Sequence, residues 1–365
     1  MQYSQNALVK IAKRENNSKR GYLVVDPLQA KHAAVSPTAA LDLFKALASK
    51  LAGKYDDEKI LVVGFAETAT AIGAQAAISL HSDYIQTTRE SVDGVEYLYF
   101  SEAHSHATEQ KLVRDDLDKI IPCIDRIVFV EDEVTTGNTI MNIVRLLRNT
   151  YDKTLNFTIL SLLNGMDLCA IERSKKENID LFYLVKTDHS SFEEKAAAYQ
   201  TDGQYIGPDM RPDSAAMIEV PGYINTRRLT DSAEYDKACE KMSDEVIRRM
   251  ELQPNESILV LGTEEFMYPA LYLGRRLEEM GHIVYSHSTT RSPIAVSSAP
   301  DYPLHTRYEL ESLYDNKRRT FIYDIGAYDR AVIVTDASLQ YKSSLNTLLN
   351  AVKTVNSNVT LVRWY

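Results

Sequence analysis

Two adjacent acidic residues, followed by a short hydroxyl-rich turn, are the part of this chain best suited to chemistry. Ile127–Val130 is an apolar run of the kind that forms a strand covered on both faces, and Glu131 and Asp132 follow it directly. A small polar turn comes next and leads into a segment with apolar residues at helical spacing. Backbone N–H groups and the positive dipole end at a helix start bind phosphate. The turn residues predicted to do so are Thr135, Thr136, Gly137, Asn138 and Thr139.

This string resembles the phosphoribosyl pyrophosphate (PRPP) signature of type I phosphoribosyltransferases. The resemblance implies that Glu131 and Asp132 hydrogen-bond the ribose hydroxyls and that the turn 135–139 holds the 5-phosphate. Glu133 departs from the family pattern, which usually has an apolar or small residue there, and it adds charge beside the site. The alternative interpretation is a solvated strand end with a threonine that caps the helix.

A second apolar run, Ile60–Val63, precedes the loop that the resemblance assigns to pyrophosphate. We expect the loop to present backbone amides to that group, and its residues are Gly64, Phe65, Ala66, Glu67, Thr68, Ala69 and Thr70. Arg89 follows Thr87 and Thr88 at a predicted strand end, where relatives often have a basic residue that contacts pyrophosphate. A simple tight turn and a solvated arginine are the respective alternatives.

The resemblance also implies a loop that closes over the reacting centre and excludes water. His104 and His106 lie in the matching segment and, at a spacing of two, would point the same way in an extended chain. Ordinary surface histidines are the alternative. Lys31 and His32 are expected near the base pocket. Magnesium would bridge the ligand and possibly Asp132, because it prefers oxygen ligands in octahedral geometry.

Composition narrows the classes of protein. The chain has 365 residues and a formal net charge of −10, which disfavours broad nucleic-acid binding. No apolar run reaches the length that spans a membrane, and no signal-peptide core is evident at the start. The three cysteines lack metal-ligand spacing, which favours a reduced, cytoplasmic setting without a zinc site.

Strands that alternate with helices predict an α/β protein with a doubly wound, mostly parallel sheet. We expect a phosphoribosyltransferase-like domain over residues 1–190, a connector over 191–256 and a second α/β domain over 257–365. The first domain should have helices on both faces of its sheet.

The second α/β segment repeats features of the first at similar spacing. Thr289-Thr290-Arg291 parallels Thr87-Thr88-Arg89, and Asp336 parallels Asp132. This spacing predicts a degenerate duplicate without the acid pair and the threonine turn. The alternative is that any two α/β units share strand-glycine-helix patterns.

The second segment also carries the strings 262–269 and 288–294, which resemble the TRSP domain. That domain follows an orotate-phosphoribosyltransferase-like domain in proteins of tellurium-resistance and stress operons. The candidate site residues in this segment are Glu264, Thr290, Arg291 and Ser292. The alternative for the glutamates at 264 and 265 is a solvated helix start.

Together these features predict a Mg-dependent phosphoribosyltransferase that moves ribose 5-phosphate between PRPP and a base-like acceptor, in the synthesis of a nucleotide-like metabolite. A homodimer and operon-encoded protein partners fit this prediction. Two alternatives remain: a regulatory protein that binds PRPP or a nucleotide without turnover, and an enzyme of ribosyl phosphorolysis or nucleoside cleavage. No motif identifies the acceptor.

Overall fold

A computed structural model describes residues 3–15, 20–100 and 110–365. Its strands are, in chain order, β1 (Lys10–Lys13), β2 (Tyr22–Val25), β3 (Ile60–Gly64), β4 (Asp83–Gln86), β5 (Tyr97–Tyr99), β6 (Lys111–Val113), β7 (Arg126–Val134), β8 (Asn156–Asn164), β9 (Ile179–Lys186), β10 (Gln204–Ile206), β11 (Ala216–Val220), β12 (Thr230–Asp231), β13 (Ser257–Gly262), β14 (Ile283–Ser288), β15 (Thr306–Glu311), β16 (Arg319–Tyr323), β17 (Arg330–Thr335) and β18 (Val359–Trp364).

The helices alternate with these strands over much of the chain, as an α/β protein requires. They are α1 (Gln5–Leu8), α2 (Pro37–Ala48), α3 (Thr70–Leu80), α4 (Arg114–Ile120), α5 (Asn138–Thr150), α6 (Leu168–Lys176), α7 (Phe192–Ala198), α8 (Ser232–Arg249), α9 (Tyr268–Glu279) and α10 (Lys342–Lys353). No helix in the described ranges is long and apolar enough to cross a membrane.

The chain forms two compact units that are interleaved in sequence. The six-stranded unit consists of residues 42–187 and 224–237, and the five-stranded unit consists of residues 1–41, 188–223 and 238–365. These limits differ from the linear division expected at 190 and 257.

Packing accounts for the difference in the limits. The β1–β2 hairpin contributes Ala12, Leu23 and Val25 to an apolar cluster with Ile294 and Phe321, so the start of the chain belongs with the five-stranded unit. The short strand β12 pairs antiparallel with β4, which places 224–237 in the six-stranded unit.

The six-stranded unit contains a sheet in the order β12-β4-β3-β7-β8-β9, with parallel pairing from β4 to β9. The predicted parallel sheet is thus confirmed. Helix α3 packs closely on β3, β4 and β7. This approach depends on glycine, since a Cβ at Gly73 would lie 2.7 Å from the Cα of Gly64.

The five-stranded unit contains a parallel sheet in the order β11-β18-β17-β13-β14 and a smaller sheet in the order β10-β15-β16. Helix α9 packs on β13, β14 and β17, and α10 packs on β15 and β18. Buried aliphatic residues such as Leu259, Ile333 and Leu361 form the core beside the sheet. The predicted second α/β domain is present.

The central strands of the two units follow the same order. The order β4-β3-β7-β8 in one unit corresponds to β14-β13-β17-β18 in the other, as the sequence spacing predicted. The amino ends of β7 and β17 also carry matching ion pairs. Arg126, opposite Ile60 in the ladder, makes a two-point ion pair with Glu58, and Arg330, opposite Ile258, makes one with a glutamate at 256.

His287 of β14 is a buried titratable residue in the five-stranded unit. Its side chain is 2% exposed, and within the described residues neither ring nitrogen has a hydrogen-bond partner. Burial lowers the pKa of His287 from 6.5 to about 4. The folded protein therefore holds this ring neutral at pH values where the unfolded chain binds a proton.

We predict that this residue destabilises the fold as the pH falls from about 6.5 to about 4, by up to roughly 3 kcal/mol. The unfolded chain binds the proton in that window and the folded chain does not. His287→Leu should flatten the pH dependence of the free energy of unfolding, measured by urea denaturation. The control is His81→Asn at an exposed, left-handed position. An unchanged pH dependence in His287→Leu would contradict the prediction.

Candidate active site

The adjacent acids lie inside β7 and beyond the end of its neighbour β3. The pairing of β3 with β7 ends at Gly64 opposite Val130, whereas β7 stays paired with β8 through Val134. The prediction that Glu131 and Asp132 follow the end of the strand was therefore wrong in detail. They stand at the edge that β3 leaves open, because the ladder with β8 continues past them.

Burial and crowding set the ionisation of these acids. Burial raises the pKa of Glu131 well above its usual range, and the charges of Asp132 and Glu133 raise it further. Burial also raises the pKa of Asp132, with a smaller contribution from Glu133. The hydroxyl of Thr68 donates to Asp132 Oδ1 at 2.9 Å and opposes that rise. The site thus favours a cation or hydrogen-bond donors that would relieve the crowded carboxylates.

Arg89 supplies positive charge to this group. It is half-buried, and its charge lowers the pKa of Glu131 against the effect of burial. Thr88 Oγ1 accepts from the N–H of Glu90 at 2.9 Å, which fixes the turn that carries the arginine. The predicted basic residue is therefore within electrostatic reach of the acids.

The predicted phosphate turn is the N-terminus of α5. Gly137 has φ of 70°, a left-handed conformation that favours glycine, and Met141 N–H donates to its carbonyl at 2.9 Å. Thr136, Asn138 and Thr139 are exposed, and Thr135 is half-buried. The turn is accessible and carries several N–H and hydroxyl groups at the positive end of a 13-residue helix.

The predicted pyrophosphate loop joins β3 to α3, and two residues outside it hold its shape. The N–H of Ala66 donates to Thr87 Oγ1 at 2.8 Å, and Gln110 Nε2 donates to the Ala66 carbonyl at 2.9 Å. Gly64 has no room for a side chain, since a Cβ there would lie 2.6 Å from the hydroxyl of Tyr84. The Ala66–Glu67 peptide bond is cis.

Sequence reasoning missed Gln110 and gave Thr87 no role of its own. The polar side chain of Gln110, just before β6, was the only signal for it. Thr87 stood out only as the start of the Thr-Thr-Arg string. The loop residues Phe65, Glu67 and Ala69 lie between the elements as predicted, and Ala69 N–H donates to the Phe65 carbonyl at 2.9 Å.

Two expectations about the reacting centre have different outcomes: the one for the histidines stays a prediction, and the one for Lys31 and His32 does not match their position. His104 and His106 fall in residues 101–109, outside the described ranges. Lys31 and His32, expected near the base pocket, are buried in the five-stranded unit. Lys31 Nζ donates there to the carbonyls of Glu264 and Thr289 at 2.7 and 2.9 Å.

The four candidates in the second segment do come together at the ends of β13 and β14. Arg291 Nε donates to Glu264 Oε2 at 2.9 Å, and Thr290 Oγ1 accepts from Ser292 N–H at 3.2 Å. The alternative of a solvated helix start is wrong, because Glu264 and Glu265 are 1% and 2% exposed and α9 begins at Tyr268.

The residues of β7 suit a hard divalent cation. Magnesium prefers oxygen ligands and keeps several of its waters, so one or two carboxylates and ligand oxygens suffice to hold it. Glu131 and Asp132 provide such carboxylates at an open edge, where Arg89 and Thr68 offset their crowding only in part. No group of three or more histidine, cysteine or acidic side chains within the described ranges is arranged to hold a metal ion.

We predict that Thr68→Val raises the pKa of Asp132. The substitution removes a donor to the ionised carboxylate, and such a bond favours the charged form. Carboxyl carbon shifts in an NMR titration measure the change. Thr70→Val is the matched control, because the hydroxyl of Thr70 donates to the Glu67 carbonyl in the same loop. Equal titration of Asp132 in wild type and Thr68→Val would refute the assignment.

Comparison with known proteins covers the two parts of the chain separately. The profile of the family described as "Phosphoribosyl transferase" matches residues 8–188. The profile of the TRSP domain, described as C-terminal to that family's domain, matches residues 227–352. No curated protein matches the chain significantly.

Solved structures match at low identity over about half of the chain. An adenine phosphoribosyltransferase from Thermoanaerobacter pseudethanolicus is 16% identical, and the match covers 50% of this chain and 97% of that one, with a TM-score of 0.35. The APRTase from Giardia lamblia is 16% identical, and the match covers 50% of this chain and 96% of that one, with a TM-score of 0.37. An orotate phosphoribosyltransferase from Aeropyrum pernix is 21% identical, and the match covers 44% of this chain and 77% of that one, with a TM-score of 0.29.

The profile matches agree with the order of motifs along the chain: residues 8–188 form a phosphoribosyltransferase-family domain, and a TRSP domain follows over residues 227–352.

Proposed function

We propose that the six-stranded unit transfers ribose 5-phosphate between PRPP and a base-like acceptor. The observation that carries the proposal is the shared edge of the sheet. The acids of β7 extend past β3, and the turn 135–139 that follows them contains the N-terminus of α5. A carboxylate pair beside an anion-binding helix start matches the hydroxyls and phosphate of one ribose 5-phosphate.

Each part of PRPP then has a partner in this unit. Glu131 and Asp132 accept hydrogen bonds from the ribose hydroxyls, and the turn 135–139 donates N–H and hydroxyl groups to the 5-phosphate. The loop 64–70 and Arg89 hold the pyrophosphate. The electrostatic effect of Arg89 on Glu131 supports this division, since a leaving anion needs a cation within reach of the acids.

Most of the rate enhancement would come from positioning and charge. Departure of pyrophosphate leaves positive charge on the ribosyl centre, and ionised carboxylates fixed nearby stabilise that charge. Magnesium, held by ligand oxygens and by Asp132, would neutralise the leaving group. Glu131 and Asp132 must be ionised for these roles, and their raised pKa values make binding weaken as the pH falls through them.

The proposed setting is the cytoplasm, and the proposed product is a nucleotide-like metabolite. The resemblance of residues 262–269 and 288–294 to proteins of tellurium-resistance and stress operons supports a role in stress metabolism. The acceptor is proposed only as a base-like molecule.

We predict that Asp132→Asn weakens PRPP binding by more than about 1 kcal/mol, roughly fivefold in Kd, because it removes a charge-assisted acceptor. Titration calorimetry with PRPP and Mg²⁺ measures the change. Asp152→Asn removes the same charge from an exposed position of the same unit and serves as the control. Unchanged PRPP affinity in Asp132→Asn would contradict the assignment of the ribose site.

Turnover separates an enzyme from a binding protein. The full chain with PRPP and Mg²⁺ should release pyrophosphate when a cell extract supplies the acceptor, and mass spectrometry should find a newly ribosylated species. Asp132→Asn should lose both signals, whereas Asp152→Asn should keep them. Binding of PRPP without any acceptor-dependent release would favour the regulatory alternative.

A further inference from the structure

Two buried glutamates follow the end of β13. Glu264 and Glu265 are 1% and 2% exposed, and Glu264 has φ of 51°, an unusual backbone for a residue other than glycine. Burial of carboxylates is costly unless cations and donors compensate for it. The residues around them should therefore reveal what kind of site they occupy.

Cations from two other segments converge on these glutamates. Arg291 donates through Nε to Glu264 Oε2 at 2.9 Å and through Nη2 to Glu265 Oε1 at 2.7 Å. Arg318 Nη2 lies 3.0 Å from Glu264 Oε2, and the hydroxyl of Ser312 donates to Glu264 Oε1 at 2.5 Å. Such a set of donors around one carboxylate is what an anion-binding site presents.

Equivalent hydrogen bonds relate this site to the loop 64–70 of the other unit. Thr87 N–H donates to the Gly64 carbonyl at 2.9 Å, and Thr289 N–H donates to the carbonyl at 262 at 3.1 Å. The N–H of Ala66 donates to Thr87 Oγ1 at 2.8 Å, and the N–H of Glu264 donates to Thr289 Oγ1 at 3.0 Å. Glu264 therefore takes the place of Ala66.

The following residues keep the same correspondence. Thr88 forms a two-bond bridge with Lys111, and Thr290 forms one with Phe321. Arg291 accordingly stands where Arg89 stands in the six-stranded unit. The link 312–318, which joins β15 to β16 and carries Ser312 and Arg318, is the counterpart in chain order of the link between β5 and β6.

We infer that the five-stranded unit contains a second anion site of the pyrophosphate class, and that the chain fills it with its own carboxylates. Glu264 and Glu265 stand in for the phosphoryl groups, and Arg291 and Arg318 bind them as they would bind an external anion. The class of anion rests on the proposed function of the loop 64–70. The convergence of cations on Glu264 stands without it.

The ribose half of this second site is absent. Thr335 takes the place of Glu131, and Asp336 takes the place of Asp132. The carboxylate of Asp336 accepts from the hydroxyls of Tyr314 and Tyr223 at 2.5 and 2.6 Å, so tyrosines cover it. Opening the site should therefore admit inorganic pyrophosphate and give PRPP no advantage over it.

The test uses Glu264→Ala/Glu265→Ala in the full chain, which restores at 264 the residue found at Ala66. Calorimetry with inorganic pyrophosphate is done in an Arg89→Ala background, so that heat reports on the second unit. We expect no measurable binding in the background alone and, after the double substitution, binding with a Kd at least tenfold below the weakest that the measurement detects. Adding Arg291→Ala should abolish it. Orthophosphate and PRPP are run as separate probes.

Three results would overturn the inference. These are no pyrophosphate binding by a folded double variant, binding that survives Arg291→Ala, and binding to the background that Arg291→Ala removes, since the site would then be open already. The control Glu240→Ala/Glu279→Ala removes two exposed charges that face Arg276 and should create no site.

Folding is checked by circular dichroism and thermal melting. If the alanine variant does not fold, Glu264→Gln/Glu265→Gln replaces it, and its melting temperature should rise with pyrophosphate only while Arg291 is present. No rise would overturn the inference. Failure of the proposed function shows separately, as unchanged PRPP affinity in Asp132→Asn with the glutamates intact.

Discussion

The constraint that shapes both sites is the burial of carboxylates at the carboxyl end of a parallel sheet. Strand ends gather polar groups there, and each buried negative charge needs a compensating partner. The six-stranded unit leaves this need partly unmet, which is why burial and mutual repulsion raise the pKa values of Glu131 and Asp132. The five-stranded unit meets it internally, with Arg291 on Glu264 and Glu265. One edge keeps carboxylates with raised pKa values, and the other compensates its carboxylates within the chain.

The sequence predicted features that depend on contiguous residues. The string from Ile127 to Thr139 carries its own strand, acids, turn and helix start, so local propensity and spacing were enough to predict them. The shared strand order of the two units also followed from spacing, because sheet order fixes which strand ends meet. The extension of β7 to Val134 was not predictable from its residues alone, since it depends on the length of β8.

Features that depend on distant packing were missed for the same physical reason. Lys31 looked like a residue of the base pocket, but its long side chain is buried against carbonyls more than two hundred positions away. The role of Gln110 at Ala66 is likewise a contact between separate loops. The solvated interpretation of Glu264 failed because local charge pattern cannot reveal that Arg318 arrives from another hairpin. Tertiary contacts determine the roles of these residues, and no periodic pattern in the sequence indicates such contacts.

The interleaving of the two units has a consequence for how such a chain can change over evolutionary time. The sequence passes from one unit to the other four times, at 41/42, 187/188, 223/224 and 237/238. A single recombination point therefore cannot exchange one unit for another. A cut at any of the four boundaries separates the β1–β2 hairpin from Ile294 and Phe321, and a cut at 187/188 or 223/224 also separates β12 from β4. An exchange that keeps both units intact must therefore carry all of their segments together.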